Sequence, residues 1–208
     1  MKFRLALLLI SVFFIAGCSD LSKITDSEYY KVSVSSTQSS YTTTYSVSTI
    51  NNTSATGYVI NKTLPSPALT LLTYPKETPT SSTLLPLITF NQMDVTYTVV
   101  QDSAGNLIGT WAPSTESTGV NIVIPAGTNS SSITITDNNI ASSVLASEVF
   151  NKIGSIAVSS TASGTYAFAL SLNTSLAIRA NTTLTGTDER GQPVSLTFST
   201  TLYFAISS

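Results

Sequence analysis

The feature that most constrains this chain is a period of two. Over much of its length β-branched and aromatic residues recur at every second position, with small polar residues between them. Such a pattern suits a strand with one buried face and places a helix's apolar residues all round its axis. Tyr41, Thr43, Tyr45, Val47 and Thr49 form one such row. Met93, Val95, Tyr97 and Val99 form a second, and the pairs Ile122 and Ile124, Ile133 and Ile135, and Leu196 and Phe198 repeat it. Asn51-Asn52, Asn106, Pro125 to Gly127 and Asp188 to Gly191 supply turn chemistry between the rows. Ser and Thr make up roughly a third of the chain and charged residues only 10%. A composition so polar can belong to disorder, but disordered chains are poor in the Tyr, Phe, Val, Ile and Thr that abound here. The expected fold class is all-β.

Two stretches break the period. Between residues 63 and 86 stand Pro65, Pro67, Pro75, Pro79 and Pro86, which suits a long loop or an edge strand rather than a central one. From Asp137 to Ile153 the apolar residues Ile140, Val144, Leu145, Val149 and Ile153 fall at near-helical spacing, with Asp137 or Asn138 as a cap. One short helix is expected near 138–151. A weak internal similarity links Asp102-Ser-Ala-Gly105-Asn with Asp188-Glu-Arg-Gly191-Gln, both reading as Asp-initiated turns in hairpins. Residues 29–208 are therefore expected to form one β-sandwich domain, with two smaller modules divided near residue 137 as the alternative. In texture, and especially in Val123-Ile-Pro-Ala-Gly-Thr128 leading into Ile133-Thr-Ile135, this part resembles the immunoglobulin-like β-sandwich modules of bacterial surface proteins.

The first residues differ from all that follows. Lys2 and Arg4 precede an uninterrupted apolar run from Leu5 to Ile15. A helix crossing a bilayer takes about 20 apolar residues, so this shorter run fits a secretory signal peptide better. No second apolar run is long enough to span a membrane. Ile15-Ala16-Gly17-Cys18 resembles the lipobox of bacterial lipoproteins. That resemblance implies a signal peptide over 1–17, cleavage before Cys18, diacylglyceryl transfer to the Cys18 sulfur, and usually acylation of the new amino terminus. Cys18 is the sole cysteine, and lipidation would account for an exported thiol without a disulfide partner. Several acyl chains, at about 0.8 kcal/mol per buried methylene, give lasting attachment where one is marginal. In the sorting pattern of Gram-negative lipoproteins, Asp directly after the cysteine favours the inner membrane. Ser19 stands there, so the resemblance implies the outer membrane. Residues 18–28 are expected to be a tether, which Ser35 to Thr44 would extend if that Ser/Thr-rich stretch is a stalk.

Chemistry is bounded chiefly by missing residue types. The chain has no histidine, which excludes the usual Ser/His/Asp and Cys/His nucleophile arrangements. Zinc sites built on His or Cys go with them. No Gly-x-Gly-x-x-Gly or P-loop signals a nucleotide. Lys2 and Arg4 are two of the 9 basic residues, leaving 7 against 11 acidic ones after cleavage, a net of about −4. That balance offers no footprint for nucleic acid. A glycosidase needs only two facing carboxyl groups, for which Asp94, Asp102, Glu116, Asp137, Glu148, Asp188 and Glu189 remain. A Ser/Lys arrangement would draw on Lys62, Lys76 or Lys152. Asp102 to Asn106, Asp137 to Asn139 and Asp188-Glu189 are oxygen-rich turns that either ligate Ca²⁺ or bond their own backbone. Trp111, Tyr29, Tyr30, Tyr41 and Tyr45 either stack on sugars or partners, or fill the core. The expectation is a lipid-anchored envelope protein, non-catalytic and without metal or cofactor, acting in structure, adhesion or assembly with an envelope protein or glycan as partner. The alternative is a glycan-binding module or carbohydrate-active enzyme built on those carboxylates and aromatics.

Overall fold

The computed structural model describes residues 24–25, 30–36, 40–76, 84–136 and 139–207. Cys18 and the segment before it, Tyr29, Asp137 and Asn138 lie outside the described residues. In chain order the strands are β1 (Ile24–Thr25), β2 (Tyr30–Ser36), β3 (Ser40–Thr49), β4 (Tyr58–Thr63) and β5 (Ala68–Pro75). Next come β6 (Leu84–Leu85), β7 (Ile88–Asp102), β8 (Glu116–Ile124), β9 (Gly127–Thr128) and β10 (Ser131–Thr136). A 3-10 turn (Asn139–Ala141) leads into α1 (Ser143–Ile153), followed by β11 (Gly154–Ser160), β12 (Tyr166–Leu172), β13 (Leu176–Asp188) and β14 (Pro193–Ile206). The fold is all-β and sandwich-like, with the one short helix that the spacing predicts. No helix of the described residues is long and apolar enough to cross a membrane.

The large sheet runs β4-β3-β14-β13-β7-β8, with β1 also on β14. Its pairings are antiparallel apart from β14 with β3. The period of two becomes an inner apolar face and an outer polar one. Ile88, Phe90, Met93, Val95, Tyr97 and Val99 of β7 are buried, as are Ile178, Ala180 and Leu184 of β13, and Leu196, Phe198 and Leu202 of β14. Thr43, Thr182 and Thr200 share that inner face, because a threonine is close to valine in shape.

Two structures cover the apolar face. The small sheet β10-β5-β2 contributes Val32, Leu69 and Leu71 to the same core cluster. Elsewhere α1 contributes Leu145, Ala146, Val149 and Ile153. The buried Tyr45 hydroxyl donates to the Ala146 carbonyl at 2.8 Å, and the Tyr45 ring lies 5.1 Å from that of Phe150. Burial holds the Tyr45 hydroxyl well above its usual titration range.

Several expectations need correction. The proline-rich stretch is not only loop and edge: β5 is the central strand of the small sheet. Pro67 stands just before it and Pro75 at its end, where no ladder N–H is removed from the middle of the strand. The helix begins later than expected and is capped by Ser142, whose hydroxyl accepts from Leu145 N–H at 3.0 Å. Ser40 to Thr44 belong to β3 and Ser35 to β2, so the stalk reading fails where strand pairing supplies their backbone partners. Ile24 and Thr25, inside the expected tether, pair with Leu196 and Ser195. A division near residue 137 would cut through the large sheet, in which β7 and β3 from before that point pair with β13 and β14 from after it.

Gly186 sits at a register shift between β13 and β7. A Cβ there would stand 1.9 Å from the Thr89 carbonyl oxygen and 2.6 Å from Phe90 Cα. Gly186→Ala is therefore expected to lose about 1–3 kcal/mol in chemical unfolding, the usual cost of overpacking. An unchanged unfolding midpoint would show that the backbones are free to separate. Ser142→Ala should lose about 0.5–2 kcal/mol through the helix cap, read in the same titration.

Candidate functional site

The interior strands β7 and β13 run antiparallel, and each ends on an aspartate, at opposite ends of the pair. Asp102 pairs with Leu176, and Asp188 with Ile88. Both residues are buried, and both start a turn whose glycine has positive φ, 72° at Gly105 and 76° at Gly191. Only glycine adopts that backbone without strain, which is why the Asp-x-x-Gly pattern recurs. The Gly N–H donates to the Asp carbonyl in each turn, at 3.0 Å for Asp102 and 2.9 Å for Asp188.

The carboxylates are consumed by these turns. Asp102 Oδ1 accepts from Ala104 N–H at 3.0 Å and the Thr174 hydroxyl at 2.6 Å. Its Oδ2 accepts from Asn106 N–H at 2.7 Å and Leu107 N–H at 2.9 Å. A carboxylate offers about four lone-pair sites, so four donors leave none for a cation or a sugar hydroxyl. The Thr174 hydroxyl first, with the three backbone N–H groups, holds the Asp102 carboxyl below the usual carboxylate range. Asp188 Oδ1 accepts from Arg190 and Gln192 N–H, both at 2.9 Å, and Oδ2 from the Tyr30 hydroxyl at 3.2 Å. Of the two outcomes left open for these oxygen-rich turns, the geometry supports self-bonding.

An open cleft of about 240 Å³ lies beside the first turn, lined by Asp102, Asn106, Leu107, Lys152, Ile153 and Asn173, among others. Lys152, in the last turn of α1, is its cation. The remaining described acids lie outside this cleft's lining. Asp94 is on the outer face of β7, where Ser117 and then Gln92 hydrogen-bond it and lower its carboxyl's titration range. Glu116 opens β8 and accepts from the Tyr97 hydroxyl at 3.3 Å and from the Ser142 cap hydroxyl. Glu148, on α1, accepts from Ser114 N–H at 2.9 Å. Burial first, and then the Glu116 charge, raises the Tyr97 hydroxyl above its usual range, with Glu148 adding a smaller effect. Glu116 meets the Tyr97 hydroxyl directly, and both Glu116 and Glu148 bind the polypeptide itself. Glu189 is exposed in its turn.

Lys62 does meet a serine, donating to the Ser147 hydroxyl on α1. The lysine is exposed, and the Ser147 hydroxyl donates in turn to the Ser143 carbonyl at 2.7 Å. The aromatics divide similarly. Tyr30, Tyr41 and Tyr45 are buried in the core, and Trp111 is half-buried against it, so they form no exposed platform. Thr174 and Asn173 carry no local signal in the sequence, since their partners are distant along the chain, whereas Ser142 caps Leu145 three residues on, a local role that Asp137 and Asn138 also offer. No family model, curated protein or solved structure matches this chain.

Because the Asp102 carboxyl titrates below its ordinary value, about 3.9, its contribution to stability is present above that pH. It is lost as pH falls through the lower folded-state value. Asp102→Asn is expected to melt at a lower temperature at neutral pH and to change less than the unaltered chain between about pH 4 and pH 2. Parallel pH dependence of the two melting curves would remove Asp102 from the acid response.

Proposed function

We propose that this chain is a lipid-anchored protein of the bacterial cell envelope, attached through Cys18 to the outer rather than the inner membrane, whose β-sandwich serves structure, adhesion or assembly without catalysis. The observation that carries the non-catalytic reading is the use of the buried aspartates and of two half-buried glutamates. Asp102 and Asp188 accept from their own turns, and Glu116 and Glu148 from Tyr97, Ser142 and Ser114. A glycosidase keeps two carboxyl groups open across a substrate bond, about 5 to 10 Å apart. Anchorage rests on the resemblance of Ile15-Ala16-Gly17-Cys18 to a lipobox, with Ser19 favouring the outer membrane.

The pairing of β1 with β14 bears on reach. Only residues 19–23 separate Cys18 from β1, and five extended residues span at most about 18 Å. The sandwich then works close to the bilayer surface, and its partners are other components of that surface.

Metabolic labelling with a fatty-acid analogue tests the anchor. Label is expected on the unaltered chain and absent from Cys18→Ser, which should also leave the membrane fraction. Full labelling of Cys18→Ser refutes the proposal.

A further inference from the structure

The hairpin of β11 and β12 presents a free strand edge. Asn173 N–H donates to the Ile153 carbonyl at 2.8 Å and Thr161 N–H to the Thr165 carbonyl at 2.7 Å, one bond at each end of the hairpin. Antiparallel ladders alternate, so these bonds set the intervening pattern. Ser155, Ala157 and Ser159 bond inward to Ser171, Ala169 and Ala167, while Ile156 and Val158 turn both N–H and C=O outward. Among the described residues no hydrogen bond reaches those outward groups.

Strand edges are ordinarily protected by charge, proline, a bulge or a cover. The edge strand β4 carries Lys62 and β2 carries Lys31. Strand β8 opens with Glu116 and has a register shift against β7, and β10 runs alongside it. On the other side of the hairpin, β12 lies beside β3, and Tyr166 N–H donates to the Asn52 carbonyl at 2.6 Å. By contrast β11, Gly-Ser-Ile-Ala-Val-Ser-Ser, has no charge, no proline and no shift over its seven pairs. Val158 is 41% exposed.

We propose that β11 is a self-association edge, at which two copies of this chain pair antiparallel about Ala157 to form a four-stranded sheet. The edge is complementary to itself. In this register the outward N–H and C=O of Ile156 meet those of Val158 in the second copy, and the reverse holds by symmetry. Ile156 lies across from Val158 on the same face, an apolar cross-strand pair, and Ala157 faces its own counterpart with no bulk between them. No charge on β11 opposes this approach. The inference is independent of lipid anchorage, and its failure would leave that reading intact.

Cysteine cross-linking of the full-length chain tests it. Residues facing each other at a non-hydrogen-bonded position have Cα atoms about 4.5 Å apart, within disulfide reach. Under mild oxidation, Ala157→Cys is expected to give several-fold more disulfide dimer on a non-reducing gel than Val59→Cys, an exposed site on β4. The unaltered chain, whose sole cysteine is Cys18, supplies the background. Adding Val158→Pro to Ala157→Cys removes an N–H that points outward and should bring the dimer down to the Val59→Cys level at an unchanged melting temperature. If Val158→Pro lowers that temperature, Ile156→Lys takes its place, since it sets two like charges into the pairing and should cause the same loss. Dimer no more abundant than with Val59→Cys, or dimer that persists in both disrupting variants, overturns the proposal.

Discussion

The large sheet has one apolar face, and the rest of the molecule is organised by the need to cover it. The inner side chains of β7, β13 and β14 form a continuous surface that is unfavourable in water at roughly 25 cal/mol for each Å² exposed. A single cover does not suffice. The small sheet takes one part of it, reaching the Asp188 end through the Tyr30 hydroxyl, and α1 takes another. Buried tyrosines tie that helical segment down. The Tyr45 hydroxyl reaches the Ala146 carbonyl at 2.8 Å, and the Tyr97 hydroxyl the Ile140 carbonyl at 3.4 Å. Their apolar rings belong to the core while each hydroxyl finds an acceptor, as burial of a polar group demands.

Charge is scarce in this chain, and where it is buried it is structural. A buried carboxylate without partners would be costly, so Asp102 and Asp188 persist only because several N–H and O–H donors meet each of them. Their turns cap opposite ends of the β7 and β13 pair. Four donors fill the Asp102 carboxylate and three meet that of Asp188, which directs attention from the turns to the surfaces. The outer face of the large sheet also satisfies itself: Thr183 pairs with Thr197 at 3.1 Å, and the Ser199 hydroxyl donates to Asn181 at 2.7 Å. The outward backbone of β11 differs in having no hydrogen-bond partner among the described residues, and another strand can supply one.

Much of the architecture was readable residue by residue. The rows Met93 to Val99 and Leu196 to Phe198 are buried as their period demands, the row from Tyr41 is buried as far as Tyr45 and emerges at Val47 and Thr49, and the spacing of Leu145, Val149 and Ile153 marks the helix. Prolines misled at β5, because their number suggested a loop while their positions at Pro67 and Pro75 allowed a central strand between them. The Asp-x-x-Gly turns were visible, but not their meaning. Calcium ligation and self-bonding need the same residues at the same spacing, and the distinction lies in donors such as Thr174, 72 residues from Asp102, and Tyr30, 158 residues from Asp188.

By itself the sequence determined the all-β class, the strand rows, the single helix and the absence of histidine chemistry, since each depends on residue type or on spacing within one element. Tertiary structure alone decided that Asp102 and Asp188 are occupied, that Tyr30, Tyr41 and Tyr45 are core and that β11 is an edge. Those properties belong to pairings between distant segments, and the free energy of a buried carboxylate or an open strand edge depends on which groups meet it in space.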